Sequence, residues 1–221
     1  MLHKTKGVVF RFTRYGESSI IVNIFTSQFG LQGYIVKGVR SKSSRGKIAL
    51  YQPLSLLDLV VYHRESAALM HIREARCLHL YQHISTDVRK TTIALFINEV
   101  LNRGVKEESH ASDLCDFIIS SLIELDQTER VENFHLVFLI QLSRWLGFQP
   151  QTVNEVLEGR PLEPNEEKAL IELLKADFST PLQITNNERR TLLDVLVFFY
   201  ARHIDGFGHM KSVAVLREIL S

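Results

Sequence analysis

The chain has 221 residues, 45% of them hydrophobic and 23% charged, which supplies a core and excludes a disordered chain. Its formal net charge of +1 hides a split: residues 1–80 carry twelve Lys and Arg against four Asp and Glu, a net +8, and the remainder carries −7. No apolar run approaches the roughly 20 residues that span a bilayer, and residues 1–7 lack the apolar stretch of a signal peptide, so a cytoplasmic protein without membrane contact is expected.

Short β-branched and aromatic runs fill the first 80 residues. Strands are predicted over 7–12, 19–26, 34–36, 54–62 and 67–72, the last running on toward Leu78, with turns marked by Gly16 and Gly30. Five short strands with glycine-marked turns suggest a small barrel or sandwich. A closed five-stranded barrel is favoured, because closure protects the edges of so small a sheet.

Between the third and fourth strands lies Lys-Gly-Val-Arg-Ser-Lys-Ser-Ser-Arg-Gly-Lys. It places Lys37, Arg40, Lys42, Arg45 and Lys47 within eleven residues and contains no acid. A flexible cationic loop carried by a β scaffold is suited to a nucleic-acid backbone. Arg11 and Arg14 join it if strand one neighbours strand three or four. Eight aromatic residues are interleaved with these cations, and single-strand binders pair a cationic groove with stacking rings. Most of the eight are expected in the core, with Tyr15, Tyr34 and Tyr51 the exposed ones. Charge alone does not separate DNA from RNA.

From about residue 82 the apolar spacing becomes helical. Helices are predicted over 87–105, with Ser85 or Thr86 as N-cap, then over 112–125 and 131–146. The third is apolar on most of its circumference and is expected at the centre of a bundle. Residues 148–164, with three prolines and Gly159, read as a loop. Helices follow over 165–175, from the capping box Thr185-Asn186-Asn187-Glu188 to about 203, and over 211–220. The fold class is therefore α+β: a barrel domain over 1–80 suited to nucleic acid, then a helical domain over 81–221, whose opposite charge balance points to different partners.

Catalytic signatures are thin. The sequence has no P-loop, no dinucleotide fingerprint, no G-x-S-x-G elbow and no H-E-x-x-H pair. His79 and His83 are four apart without a nearby third ligand. The acidic pairs Glu107-Glu108 and Glu166-Glu167 read as solvated faces. Cys77 and Cys115, both in apolar contexts, are expected as small buried hydrophobes, and two cysteines make no disulfide framework. No enzyme, cofactor or metal is expected.

In order and spacing, several segments resemble the RecO family of bacterial recombination mediators. In the strand region these are Lys6-Gly7-Val8-Val9, Tyr15-Gly16-Glu17-Ser18-Ser19, Phe29-Gly30, Val36-Lys37-Gly38-Val39-Arg40 and Gln52-Pro53-Leu54. In the helical region they are Asn98-Glu99-Val100-Leu101, Asn133-Phe134-His135-Leu136, Leu146-Gly147-Phe148 and Met210-Lys211-Ser212. The resemblance covers nearly the whole chain. It implies an oligonucleotide/oligosaccharide-binding (OB) barrel followed by a helical domain, without catalytic turnover. It implies binding of single- and double-stranded DNA, annealing of complementary strands, and, with RecR, loading of RecA onto DNA coated by single-strand-binding protein. A nucleoid association follows from that role.

Carried over by matched positions, Lys37, Arg40 and Lys42 are the DNA contacts that the resemblance implies, and Arg45, Lys47, Arg11 and Arg14 extend them by charge. The resemblance also implies docking of the acidic C-terminal tail of single-strand-binding protein. An apolar groove with a basic rim would serve, and Arg130, Arg144, Arg189, Arg190 and Lys211 are candidates by charge. Many family members carry a four-cysteine zinc site after the Leu-Gly-Phe segment. Residues 149–181 contain no cysteine here, so no zinc finger is expected and the helix over 165–175 takes its place. Two other readings of the basic loop are a protein-interaction adaptor that docks an acidic partner and an RNA-binding barrel.

Overall fold

A computed structural model describes residues 1–39, 47–64, 67–106 and 111–220. Five strands form: β1 (Leu2–Tyr15), β2 (Ser19–Thr26), β3 (Gly30–Val36), β4 (Leu56–Tyr62) and β5 (Met70–His79). They close in the order β1-β2-β3-β5-β4. All neighbours are antiparallel except β3 and β5, which pair in parallel through Tyr34↔Met70 and Ile35↔His71. This is the OB barrel that the resemblance implies.

The first strand is longer than its apolar run because it serves two neighbours. Residues 2–8 pair with β4 and residues 7–15 with β2. A register shift between Val9 and Arg11 bends it from one to the other. Gly7 sits where both partners approach. A Cβ there would lie 2.6 Å from Ile24 Cγ2 and 3.1 Å from the Phe25 carbonyl oxygen, so only glycine fits.

Alternate residues fill the barrel interior. Val9, Ile20, Val22, Ile24, Tyr34, Leu57, Leu59, Val61 and Met70 form one buried cluster, joined by Val39 and by Tyr51 from the 3-10 helix Lys47–Tyr51. A second buried layer lies on the outside. Val8, Phe10, Phe25 and Leu56 are fully buried without belonging to that cluster, and the Phe10 and Phe25 rings stack at 5.7 Å. Helix α2 (Ala111–Gln127) supplies the neighbouring surface: Cys115 Sγ lies 3.8 Å from the Phe25 carbonyl oxygen, and Lys6 pairs with Asp116 at 3.8 Å. Burial pushes the Cys115 thiol up to about 12, whereas Cys77, expected inside, is exposed on β5. It pairs with Leu57 toward the end of β5, where its neighbours Arg76 and Leu78 are exposed as well.

The other helices are α1 (Val88–Gly104), α3 (Phe134–Trp145), α4 (Val153–Leu157), α5 (Pro164–Lys175), α6 (Asn186–His203) and α7 (Lys211–Ile219). Helix α3 is central, as its all-round apolarity predicts: nine of its residues are buried and it packs on α1, α5 and α6. The cap of α1 is Asp87, one residue past the expected pair. Its Oδ1 accepts the Arg89 backbone N–H at 2.8 Å, and the Arg89 side chain holds its carboxyl below the usual range. The capping box of α6 forms as read: Thr185 N donates to Glu188 Oε2 at 2.7 Å, and Glu188 N donates to Thr185 Oγ1 at 3.4 Å. Helix α4 lies where a loop is expected. Thr152 caps it, and Glu158 in the left-handed region (φ 45°) ends it within five residues.

The chain divides into two compact units, Met1–Tyr81 with Val105–Ile123, and Gln82–Gly104 with Glu124–Ser221. The chain passes from one unit to the other three times, after residues 81, 104 and 123. Among the described residues no helix is long and apolar enough to cross a membrane.

Candidate nucleic-acid interface

Strand register sorts the expected cations. Reading outward residues across β1, β2 and β3 gives three rungs, about 7 Å apart at two residues per step. The first is Arg11↔Asn23↔Gly33, the second Thr13↔Ile21↔Ile35, and the third Tyr15↔Ser19. Lys37 follows Val36, whose partner is Ile20, and so comes beside the third rung. Arg11, Tyr15 and Lys37 are exposed, and Ile21 and Ile35 are half-buried. Arg14 lies on the other side of β1 by alternation, exposed at the strand end. Lys47 is exposed at the start of the 3-10 helix. Arg40, Lys42 and Arg45 lie outside the described residues. On either side of them, Val39 and Tyr51 are anchored in the barrel core.

One residue that sequence reasoning passed over organises this face. With its amide oxygen turned to the guanidinium, Asn23 accepts from Arg11 Nε at 3.1 Å and from Nη2 at 3.3 Å. The signal lay in strand pairing: an Asn in an otherwise apolar strand, opposite an Arg. The expected rings divide differently from the prediction. Tyr15 is 51% exposed, but Tyr34 and Tyr51 are buried, at 0% and 5%. Tyr34 pairs with Val22 and shares its inward parity, and burial pushes its hydroxyl up to about 12. Tyr62 is the other exposed ring, at 46%, opposite Leu2 and His71 on β1 and β5.

The candidate partner cations do not converge. Arg189 is removed from the rim altogether. It is buried, and its guanidinium donates to Asn133 Oδ1 at 3.0 Å, Asn186 Oδ1 at 2.7 Å, the Leu220 carbonyl at 2.9 Å and the Ile184 carbonyl at 3.1 Å. It ties the starts of α3 and α6 to the end of α7, a structural role that charge alone does not reveal. Arg190 is exposed beside it. Arg144 lies at the far end of α3, 5.6 Å from the Trp145 ring centre. Lys211 opens α7. Two of the five line a recess of about 270 Å³: Lys211 lines one with Val197, Met210 and Val213 beside Asp194 and Arg217, and Arg130 lines another with Phe134, Val137, Phe178 and Leu182 beside Glu132 and Asp177. Phe134 and Phe178 stack there at 4.4 Å.

Segments that carried the resemblance meet in space. Glu99 accepts Lys211 N at 3.1 Å and Ser212 N at 2.9 Å, so the Asn98–Leu101 segment caps the helix that Met210-Lys211-Ser212 opens. Arg103, one turn on, donates to the carbonyls of Gly206 and His209 at 2.8 and 2.7 Å. Phe148 follows Gly147 (φ 83°) and stacks on His203 at 4.6 Å. Among the described residues no three His, Cys, Asp or Glu side chains are grouped to hold a metal.

Residues 1–81 match the family described as "Recombination protein O N terminal", and residues 85–167 match "Recombination protein O C terminal". Curated proteins named "DNA repair protein RecO" are similar along their whole length. That of Flavobacterium psychrophilum is 35% identical over 99% of both chains, that of Flavobacterium johnsoniae 34% over 99% of both, and that of Phocaeicola vulgatus 32% over the full length of both.

Proposed function

This chain belongs to the RecO family of DNA repair proteins, and on that premise we propose that it is a non-enzymatic recombination mediator. In this reading it binds single- and double-stranded DNA, anneals complementary strands and, with RecR, assists RecA loading on DNA covered by single-strand-binding protein. The observation that carries it is the exposed set Arg11, Arg14, Lys37 and Lys47 on one OB barrel, next to a basic segment that adds Arg40, Lys42 and Arg45. Cations gathered on one small domain neutralise phosphates and lower the repulsion between two strands brought together. In the same reading the helical unit recruits partners, and the acidic tail of single-strand-binding protein docks in the recess beside Arg130. Of the two acids on that recess, Glu132 is paired with Arg89 at 3.3 Å, whereas Asp177, held by the hydroxyls of Ser179 and Thr180, keeps its charge, so Arg130 is the cation that the tail would meet. The protein works at the nucleoid in the cytoplasm.

The test is annealing of two complementary fluorescent oligonucleotides precoated with single-strand-binding protein, over a salt series. Acceleration that fades with salt supports the reading. If four to five phosphates are neutralised, log affinity for a single strand falls with log salt at a slope of roughly −3 to −3.5. No acceleration, together with no DNA binding at low salt, refutes it. Competition by a matched RNA that displaces the DNA would favour an RNA-binding barrel through 2′-hydroxyl readout.

A further inference from the structure

Resting on the DNA-binding reading, we propose that the outward face of β1–β3 holds a single strand with its bases turned toward the sheet. Tyr15 is the stacking platform, Ile21 and Ile35 are the apolar floor beside it, and Arg11 and Lys37 are phosphate contacts at the margins. Asn23 is the positioning residue for Arg11.

The polarity follows from the middle rung. Thr13, Ile21 and Ile35 offer a single hydroxyl across three strands. A phosphate laid over two isoleucines would lose hydration and gain no donor, which is unfavourable for an ion. A base laid there loses water from an apolar face and gains contact. Tyr15 extends that surface by one rung. It stands at the strand end ahead of a turn that Gly16 makes with φ 56°, half of its surface is open, and among the described residues no other ring stacks on it. The barrel's own aromatic packing uses Phe10, Phe25 and Phe29 instead. An open ring flanked by Arg11 and Lys37, with Glu17 the acid of the turn, has the composition of a stacking platform in a cationic lane.

Asn23 adds preorganisation. A free arginine side chain loses rotamer freedom when it meets a phosphate. Arg11 is already held along the sheet through Nε and one Nη, which leaves the other terminal nitrogen to face a strand lying on the rungs.

The experiment compares a fluorescein-labelled oligo-dT with an abasic deoxyribose-phosphate chain of the same length, by anisotropy on the full chain. The wild type is expected to prefer oligo-dT. Tyr15→Ala should weaken oligo-dT binding about 5- to 100-fold, the range for losing one base–aromatic stack, and leave abasic binding and the salt slope unchanged. Tyr15→Phe should keep the preference, and Tyr62→Ala, an exposed ring on another face, should have no effect. Thermal melts of the variants exclude a folding defect. Equal affinity of the wild type for both chains, or equal loss on both in Tyr15→Ala, overturns the base-inward proposal while DNA binding stands. No binding to either chain at low salt overturns the DNA-binding reading and the proposal together.

Discussion

His83 and Asp126 are joined twice. The Asp126 carboxylate accepts the His83 backbone N–H at 2.8 Å, and His83 Nδ1 lies 3.0 Å from the Asp126 carbonyl oxygen. The same carboxylate takes the N–H groups of Gln82 at 3.0 Å and Ile84 at 2.9 Å, and Lys90 Nζ donates to the Asp126 carbonyl at 2.7 Å. One buried side chain therefore satisfies three consecutive amides that no helix or strand serves. Asp126→Ala should orphan them at about 1–3 kcal/mol for each amide left without water, with a net loss of about 2–4 kcal/mol in urea unfolding. Asp126→Asn keeps an acceptor and should lose less. Equal midpoints for Asp126→Ala and wild type would show that water replaces the carboxylate.

Glu99 caps α7 from another helix, since Met210 at the N-cap offers no side-chain acceptor. Burial acts to raise its pKa, but donors from Ser212, Lys211 and Arg103 outweigh it and leave the carboxyl below its ordinary 4.5. The unfolded chain then takes up its proton first as pH falls. The contribution is complete above about pH 4.5 and is lost below it. Glu99→Ala should cost about 0.5–2 kcal/mol at pH 7, as for loss of a cap, and the gap from wild type should narrow toward pH 3.

His135 is buried in α3 with its ring edge toward Phe96, and burial lowers its pKa from 6.5 to about 3. The folded protein keeps the ring neutral while the unfolded chain protonates below pH 6.5. Stability is thus full above pH 6.5 and declines as pH drops toward 3, by up to about 1.4 kcal/mol per pH unit. The stretch from pH 6.5 to 5 precedes most carboxylate titration. His135→Leu should flatten the curve there; an unchanged slope would mean that the decline arises elsewhere.

Arg189 and Arg130 should separate stability from docking. Arg189→Ala strands buried carbonyls and an amide and should lose about 2–4 kcal/mol. Arg130→Ala, on an exposed residue, should stay within about 0.5 kcal/mol of wild type while weakening capture of an acidic peptide with a hydrophobic end. Capture unaffected by Arg130→Ala would place that contact elsewhere.

Reversing the charge of Lys37, Arg40 and Lys42 together should abolish DNA binding without moving the melting temperature. Val39, the core residue between Lys37 and Arg40, is left intact. Retained binding in that triple variant would remove the basic segment from the interface.

The architecture was legible wherever one period dominated. Ile20, Val22 and Ile24 alternate into the barrel, and the capping box at Thr185 closes as its spacing requires. Tyr34 was misread because composition says that tyrosine tolerates water, while parity with Val22 decides where it points. Arg189 was misread for the same kind of reason: its charge is visible in the sequence, and its four acceptors, drawn from α3, α6 and the end of α7, are not. The Val8-Val9-Phe10 run did carry a sign of α2. A strand apolar at consecutive positions is buried on both faces, so something had to cover the outer one.

That outer cover sets a timetable. The barrel's last structural piece, Val105–Ile123, leaves the ribosome after an entire helix of the other unit has been made. Until then the nascent barrel holds Phe10 and Phe25 against water on its flank. A chain cut after residue 81 would be caught permanently in that condition, a sticky intermediate in search of a lid, so the boundary that looks natural in the linear text is a poor place to divide the protein for expression.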